Sequence, residues 1–342
     1  MKKIAKAILL LSAAAALAVS AVSCKNEGKP KEFALGLVAV ENINVDFKDS
    51  IKRLAEAGLK KVELMNYFGG GQYGMTAEEL KAFLDENGIE VLSSNTMGGS
   101  VDVEHEEEYL QRWDALLKEH KTLGAKYVVM TANLYWGPIE RVEKICQTLN
   151  KIGAMAKGYG IQFLYHFHNI EYNTIIGTDI LASDYMLAHT DPDLVNFQFD
   201  VFWAQMGGID PVEYMKKYPN RFPCLHFKDY YELSDDSKTF KGGYKPIFDT
   251  FYKLCGEDTI LDMEPYMTME QMEEKIKMHA SITHAETNNW PTPRPRTGNG
   301  GRPPQMNFPQ QRNTDSLNRE RLRSLEAVIA NIKYMQEKPY IK

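Results

Sequence analysis

The second half of the chain contains three short apolar runs, and each run ends in a side chain that metal ions can bind. The runs are Asn196–Asp200, Pro223–His226 and Ile260–Glu264. A short apolar run of this length is typical of a buried strand. In a (β/α)8 barrel, the functional side chains lie at the carboxyl tips of the parallel strands. Because the spacing leaves room for one helix between successive runs, the pattern predicts such a barrel with a metal-binding site at its mouth.

The rest of the chain repeats the same alternation of strand and helix. The predicted strands are Phe33–Val40, Lys61–Met65, Glu90–Ser94, Tyr127–Thr131, Gln162–His166, Val195–Asp200, Pro223–Phe227 and Thr259–Glu264. The predicted helices are Phe47–Ala57, Ala77–Asn87, Glu106–Leu123, Ile139–Tyr159, Pro211–Tyr218 and Ser316–Gln336. Four of them end at a glycine, the residue that most easily adopts a left-handed C-cap: Gly58, Gly88, Gly124 and Gly160. Alternating elements imply parallel strands joined by crossover helices. We expect a closed α/β TIM barrel; a doubly wound open sheet is the alternative, but no Gly-x-Gly-x-x-Gly follows the first strand.

The N-terminus is typical of a targeting segment. A basic start, an apolar stretch and small residues precede Cys24. Ala21-Val22-Ser23-Cys24 resembles a bacterial lipobox, which predicts a signal peptide at residues 1–23, acylation of Cys24 and a linker at 24–32 before the barrel at 33–342. An ordinary signal peptide cut nearby is the alternative. We therefore expect an exported, periplasmic lipoprotein, and Lys25 weakly favours the outer membrane.

Charge restricts the partners of the mature chain. The full chain has a net charge of −6, and loss of residues 1–23, with three lysines and no acids, makes it −9. An acidic chain without a basic stripe argues against nucleic acid as a partner, and against any membrane contact except through the lipid. The remaining cysteines, Cys146, Cys224 and Cys255, are predicted to be buried thiols, with one disulfide as the alternative.

One segment interrupts the barrel pattern. Residues 285–315 are rich in Pro, Asn, Gly and Arg, a composition that buries little apolar surface and predicts a disordered insertion. It falls between strand eight and the last helix, so it leaves from the mouth of the barrel. It is either a solvated loop or a lid over the site.

Two further groups of polar side chains lie at strand tips. Alternation along strand five places His166 and His168 on one face, where they could bind a metal, hold a hydroxyl or transfer protons. On strand seven, His226 and Lys228 share a face, and the lysine charge there could stabilise an oxyanion. The alternative for Lys228 is a surface salt bridge to Asp229.

These residues carry a family resemblance. His226-Phe227-Lys228-Asp229, Phe199-Asp200-Val201-Phe202-Trp203 and Tyr165-His166-Phe167-His168-Asn169-Ile170-Glu171-Tyr172 resemble motifs of the sugar phosphate isomerases/epimerases in the xylose isomerase-like TIM-barrel superfamily. The resemblance implies one divalent cation (Mn²⁺, Mg²⁺ or Zn²⁺) with Asp200, His226 and Glu264 as ligands. It also implies that Glu63 and Trp203 face the substrate. A charge held by Arg or Lys inside the barrel is the alternative for Glu63.

Strand five departs from the pattern of the family. The epimerases it resembles generally end strands five and eight in glutamate, whereas strand five here ends in His166. Whether His166, His168 or Glu171 completes the metal shell stays open, and all three are candidate catalytic groups together with Lys228.

The resemblance implies a metal-dependent sugar isomerase or epimerase that removes a proton next to a carbonyl and stabilises an enediolate with the cation. A keto-glycoside lyase could use the same deprotonation. A catalytically silent carbohydrate-binding lipoprotein is the alternative from another class, since fold alone does not imply activity. An endonuclease IV-like phosphodiesterase, with several metals, is disfavoured by the acidic charge.

Overall fold

A computed structural model of the protein describes residues 33–41, 46–97, 101–131, 137–229, 245–263 and 325–337. The predicted signal peptide with Cys24, the linker, the 285–315 insertion and Glu264 lie outside these residues, and the predictions about them stay predictions. No helix in the described ranges is long and apolar enough to cross a membrane.

Eight parallel strands form a closed barrel in which each strand pairs with its neighbours in chain order and the last pairs with the first. This confirms the predicted TIM barrel and excludes the open sheet. The strands are β1 (Phe33–Gly36), β2 (Lys61–Leu64), β3 (Glu90–Met97), β4 (Tyr127–Thr131), β5 (Gln162–His166), β6 (Val195–Asp200), β7 (Cys224–Asp229) and β8 (Asp258–Met263).

Helices follow the strands on the outside of the barrel. The described helices are α1 (Val38–Glu41), α2 (Phe47–Glu56), α3 (Ala77–Glu86), α4 (Glu106–Leu123), α5 (Ile139–Gly158), α6 (Ala182–His189), α7 (Val201–Met206), α8 (Pro211–Lys217), α9 (Lys245–Leu254) and α10 (Leu325–Gln336). A 3-10 turn, Asn169–Tyr172, follows β5. The four glycines predicted to cap helices all have positive φ, from 67° to 98°, so those helices end as expected.

The first strand is shorter than predicted. It ends at Gly36, and the apolar residues after it form a turn and the short helix α1. The amide of Val40 donates to the carbonyl of Leu37 at 2.9 Å, and both side chains remain buried. Periodicity cannot distinguish a short apolar strand from a buried helical turn. For this reason residues 37–40 were predicted to continue the first strand.

The buried apolar residues form two separate groups. The larger one packs the outward faces of the strands against the helices. The smaller one contains only strand residues and fills the barrel interior: Ala34, Leu92, Tyr127, Val129, Leu164, Cys224 and Ile260. The three cysteines of the barrel are free thiols; Cys146 and Cys224 are buried as predicted, and Cys255 is half-buried.

The floor of the barrel is closed by a polar contact between opposite strands. The hydroxyl of Tyr127, at the start of β4, donates to Oδ2 of Asp258, at the start of β8, at 2.6 Å. Lys126 pairs with the same carboxylate oxygen. Because Tyr127 is 2% exposed and Asp258 is 8% exposed, this contact fills the interior at the end opposite the strand tips.

Candidate metal-binding active site

Three ionisable side chains meet at the carboxyl tips of three adjacent strands. His166 ends β5, Asp200 ends β6, and His226 lies on β7 directly beside Asp200 in the strand register. Oδ2 of Asp200 lies 3.0 Å from Nδ1 of His226 and 3.7 Å from Nε2 of His166. One ligand atom from each residue lies within 4.8 Å of the others. All three side chains are buried, so the sequence motifs at these tips do converge.

Asp200 has a second role that fixes its position. It is the N-cap of α7, and its Oδ1 accepts a hydrogen bond from the amide of Trp203 at 2.8 Å. Asp is one of the preferred N-cap residues because its side chain satisfies an amide that has no partner within the helix. One carboxylate oxygen therefore holds the helix, and the other is directed at the two histidines.

A buried carboxylate lies beneath this group. Glu63 on β2 is fully buried, and its Oε2 accepts hydrogen bonds from Ser93 Oγ at 2.5 Å and from Gln198 Nε2 at 2.7 Å. Its Oε1 lies 3.5 Å from Nε2 of His226. Oε1 of Gln198 lies 2.6 Å from Nδ1 of His166. Glu63 therefore contacts one histidine directly and reaches the other through Gln198.

Burial and neighbouring charges set the protonation of this group. Burial, together with the nearby charge of His226, lowers the pKa of His166 to about 4. Burial alone would raise the pKa of Glu63, but the hydrogen bonds and charge of its partners outweigh burial and hold that pKa below its usual value. At neutral pH His166 is therefore a neutral imidazole and Glu63 a carboxylate.

His168 lies at the edge of the group, toward the mouth. Its ring is 4.7 Å from the ring of His166 and 5.1 Å from that of Trp203, both in edge-on contact. His168 is half-buried, whereas His166 is 3% exposed. The two histidines predicted as a pair therefore have different places. His166 belongs to the buried triad of His166, Asp200 and His226, whereas His168 is the histidine more accessible to a molecule in the mouth.

Glu171 is not brought into the triad. It lies in the 3-10 turn after β5, where its Oε1 accepts from the hydroxyl of Tyr165 at 2.9 Å and its Oε2 from the amide of His168 at 2.7 Å. Tyr165 belongs to the packing layer outside the barrel. Burial raises the pKa of Glu171 to about 8. The geometry gives this carboxyl a structural role in holding the turn beneath His168.

The other predicted residues are placed as follows. Lys228 lies on β7 with Asp262 of β8 as its backbone neighbour, and only its backbone is described. Trp203 is buried at the start of α7 against His168. Sequence reasoning missed Gln198 and Ser93. Gln198 precedes Asp200 by two residues on the same strand face, and that spacing was the available signal.

The triad has the chemistry of a divalent-metal site. Two imidazole nitrogens and a carboxylate oxygen are the donors that Zn²⁺ prefers, and imidazole with carboxylate also suits Mn²⁺. Each of the three donors projects from a strand of the barrel: His166 and Asp200 end β5 and β6, and His226 lies on β7 beside Asp200. His166, Asp200 and His226 would therefore hold such an ion, with Glu264 the predicted fourth ligand.

Comparisons with known proteins agree with this architecture. The family model described as "Xylose isomerase-like TIM barrel" matches residues 51–272, more than half of the chain. Inosose dehydratase from Geobacillus kaustophilus (strain HTA426) is 26% identical over 222 residues, which cover 58% of this chain and 69% of that protein. Other inosose dehydratases are matched over 63% of their length.

Two solved structures show the same fold. A sugar phosphate isomerase/epimerase from Parabacteroides distasonis ATCC 8503 superposes with a TM-score of 0.63 at 25% identity, over 76% of this chain and 98% of that chain. IOLI protein, solved with a bound zinc atom, superposes with a TM-score of 0.54 over 74% of this chain and 98% of that chain. At 15% identity, the second likeness is one of fold.

Proposed function

Because this chain belongs to the xylose isomerase-like TIM barrel family, we propose that it is a metal-dependent enzyme that removes a proton next to the carbonyl group of a sugar or keto-sugar. The observation that carries this proposal is the convergence of His166, Asp200 and His226 at three adjacent strand tips. A divalent cation held there would supply positive charge beside the carbonyl oxygen of the substrate.

His168 is our candidate for the proton transfer. An imidazole has a neutral form near pH 7 that can accept a proton, and His168 is the more exposed histidine of the strand-five pair. It would take the proton from the carbon beside the carbonyl, and the electron pair of that bond would move onto the carbonyl oxygen, giving an enediolate. Lys228, on the strand that carries His226, is our candidate for a positive charge near that oxygen.

The fate of the enediolate separates the two reactions that we consider. Return of the proton to a different position or face gives an isomer or epimer, as in the sugar phosphate isomerase/epimerase neighbour. Loss of a leaving group from the next carbon gives an unsaturated ketone, with water released by a dehydratase and an aglycone by a glycoside lyase. The inosose dehydratases among the relatives support this elimination, so a keto-sugar, keto-glycoside or keto-inositol is the substrate class to test first.

The sequence around Cys24 supports the proposal that this chain is an exported, periplasmic lipoprotein. Its acyl chains alone would anchor it in the outer membrane. An exported enzyme meets few phosphorylated sugars, so neutral substrates are favoured.

The test is turnover in D₂O with added Mn²⁺ or Zn²⁺, using free sugars, 3-keto glycosides and inososes as substrates. We expect solvent deuterium on the carbon next to the carbonyl, either in the product or in recovered substrate. The matched control is Asp200→Asn, which should show neither turnover nor exchange. For an isomer or epimer, product and recovered substrate without deuterium, under conditions that prevent internal return of the proton, would refute the mechanism. For an elimination, substrate labelled with deuterium next to the carbonyl should lose that label, and retention of the label in the product would refute the mechanism. Binding of sugars without exchange or turnover would instead favour the carbohydrate-binding alternative.

A further inference from the structure

The interior of the barrel contains a buried carboxylate whose contacts are with other buried side chains. Glu63 is fully buried. Ser93, Gln198 and His226 contact it, and none of these described neighbours is the Lys or Arg that was the alternative for Glu63 in the sequence analysis. Because Glu63 contacts His226 directly and His166 through Gln198, its effect on an ion in the triad would act through these two histidines.

The hydrogen bonds of Gln198 determine which nitrogen of His166 carries a proton. A carboxylate can only accept, so the amide group directed at Glu63 must be the NH₂ of Gln198. The carbonyl oxygen of Gln198 is then directed at Nδ1 of His166, 2.6 Å away. Because that oxygen also can only accept, Nδ1 of His166 must be the protonated nitrogen. A neutral imidazole carries one proton, so Nε2 has the lone pair.

The lone pair of His166 is directed at the triad. Nε2 is the atom that lies 3.7 Å from Oδ2 of Asp200. The relay from Glu63 through Gln198 therefore presents His166 to an ion in the form that can bind it.

His226 lies between two carboxylates. Its Nε2 lies 3.5 Å from Oε1 of Glu63, while its Nδ1 lies 3.0 Å from Oδ2 of Asp200. Among the described residues, Oε1 of Glu63 accepts no hydrogen bond. In the metal-free protein, Nδ1 of His226 can donate to Asp200. When an ion takes the place of that proton, the proton of the neutral ring lies on Nε2, where it faces Oε1 of Glu63.

We propose that Glu63 is a positioning residue that selects the metal-binding nitrogen of both histidines: Nε2 of His166, through Gln198, and Nδ1 of His226 directly. The inference rests on the proposed function in so far as the site holds a metal ion. It revises the sequence-based expectation that Glu63 contacts substrate. Partners of this kind orient a ligating histidine and typically change metal affinity 10–100-fold.

The first test is the protonation of the ring nitrogens, read by NMR on protein with ¹⁵N-labelled histidine and assigned with His166→Gln and His226→Gln. In the metal-free wild type we expect a protonated Nδ1 and an unprotonated Nε2 on His166. On titration with Zn²⁺, the metal should perturb Nε2 of His166 and Nδ1 of His226, and the opposite nitrogens should carry the protons in the metal-bound protein. Protonation of His166 at Nε2 in the metal-free protein would overturn the relay.

The second test is Zn²⁺ and Mn²⁺ affinity by calorimetry. Glu63→Gln and Gln198→Met should each weaken binding about 10–100-fold, the size of effect such partners have elsewhere. The matched control is Asp258→Asn, the same carboxylate-to-amide change in the same buried interior but at the floor, which should leave affinity unchanged. Circular dichroism checks the fold of each variant, and Ser93→Ala provides a milder change at the same carboxylate. Wild-type affinity in folded Glu63→Gln and Gln198→Met would overturn the proposal.

The two proposals fail differently. A wild-type protein that binds no ion contradicts the proposed function, yet the His166 tautomer in that protein still decides whether the Glu63–Gln198 relay exists. If the wild-type protein binds an ion and substitution of Glu63 leaves the affinity unchanged, only the positioning role is contradicted.

Discussion

The two oxygens of Asp200 have separate partners, so two substitutions at this position should have different effects. Oδ1 caps α7 and Oδ2 faces the two histidines. Asparagine keeps an oxygen for the amide of Trp203 and replaces the charged ligand oxygen by an NH₂ group. Alanine removes both. We expect both variants to lose metal binding, and Asp200→Ala alone to lose the cap.

The magnitudes follow from these contacts. An ion present at 100 times its dissociation constant stabilises the wild-type fold by about 2.7 kcal/mol, and neither variant should show that gain. Loss of an N-cap side chain costs about 0.5–2 kcal/mol, so metal-free Asp200→Ala should be less stable than metal-free Asp200→Asn by that amount.

The assay is urea unfolding of the three proteins, each with and without Mn²⁺ or Zn²⁺, so that every protein is its own reference for the effect of the ion. If Asp200→Asn gained as much stability from the ion as the wild type, Asp200 would not be a ligand. Equal stability of the two metal-free variants would show that the N-cap formed by Asp200 does not stabilise α7.

Three further predictions concern His168, Glu171 and Cys24. His168→Gln should lower kcat by about 10²–10⁴, the usual contribution of a general acid or base, while calorimetry shows ordinary metal affinity; full kcat would exclude it as the base. Since burial raises the pKa of Glu171 from 4.5 to about 8, the folded protein holds a proton that the unfolded chain releases. This group therefore lowers stability as pH rises between those values, by up to ~1.4 kcal/mol per pH unit. Glu171→Gln should flatten that part of the wild-type profile of unfolding free energy against pH, and an unchanged slope would contradict the assignment. Cys24→Ala should leave the protein unlipidated and in the soluble fraction of cells, and firm membrane association of this variant would refute the lipid anchor.

The fold followed from the sequence because its signals are local. Each strand is a short apolar run, and glycine marks the ends of several helices, so the bounds of β4, β5 and β6 and of α4 match the prediction to the residue. The tip residues His166, Asp200 and His226 were identified for the same reason, since alternation and the end of a run are visible in the sequence alone.

The contacts below the tips were not visible because they depend on barrel closure. Glu63 and Gln198 are 135 residues apart and lie on strands that are not neighbours, so only the finished barrel brings them together. Glu171 lies away from the triad for a local reason. The chain leaves β5 in a 3-10 turn instead of continuing extended, and the turn directs this carboxyl to Tyr165 in the outer packing layer.

The contact between Tyr127 and Asp258 has a kinetic consequence. Within the described residues, these side chains fill the barrel interior at its floor, so the proposed substrate should reach the triad from the side of the strand tips. Product would leave on that same side, and a bound product molecule would stand in the path of the next substrate. Product inhibition should accordingly be competitive with substrate.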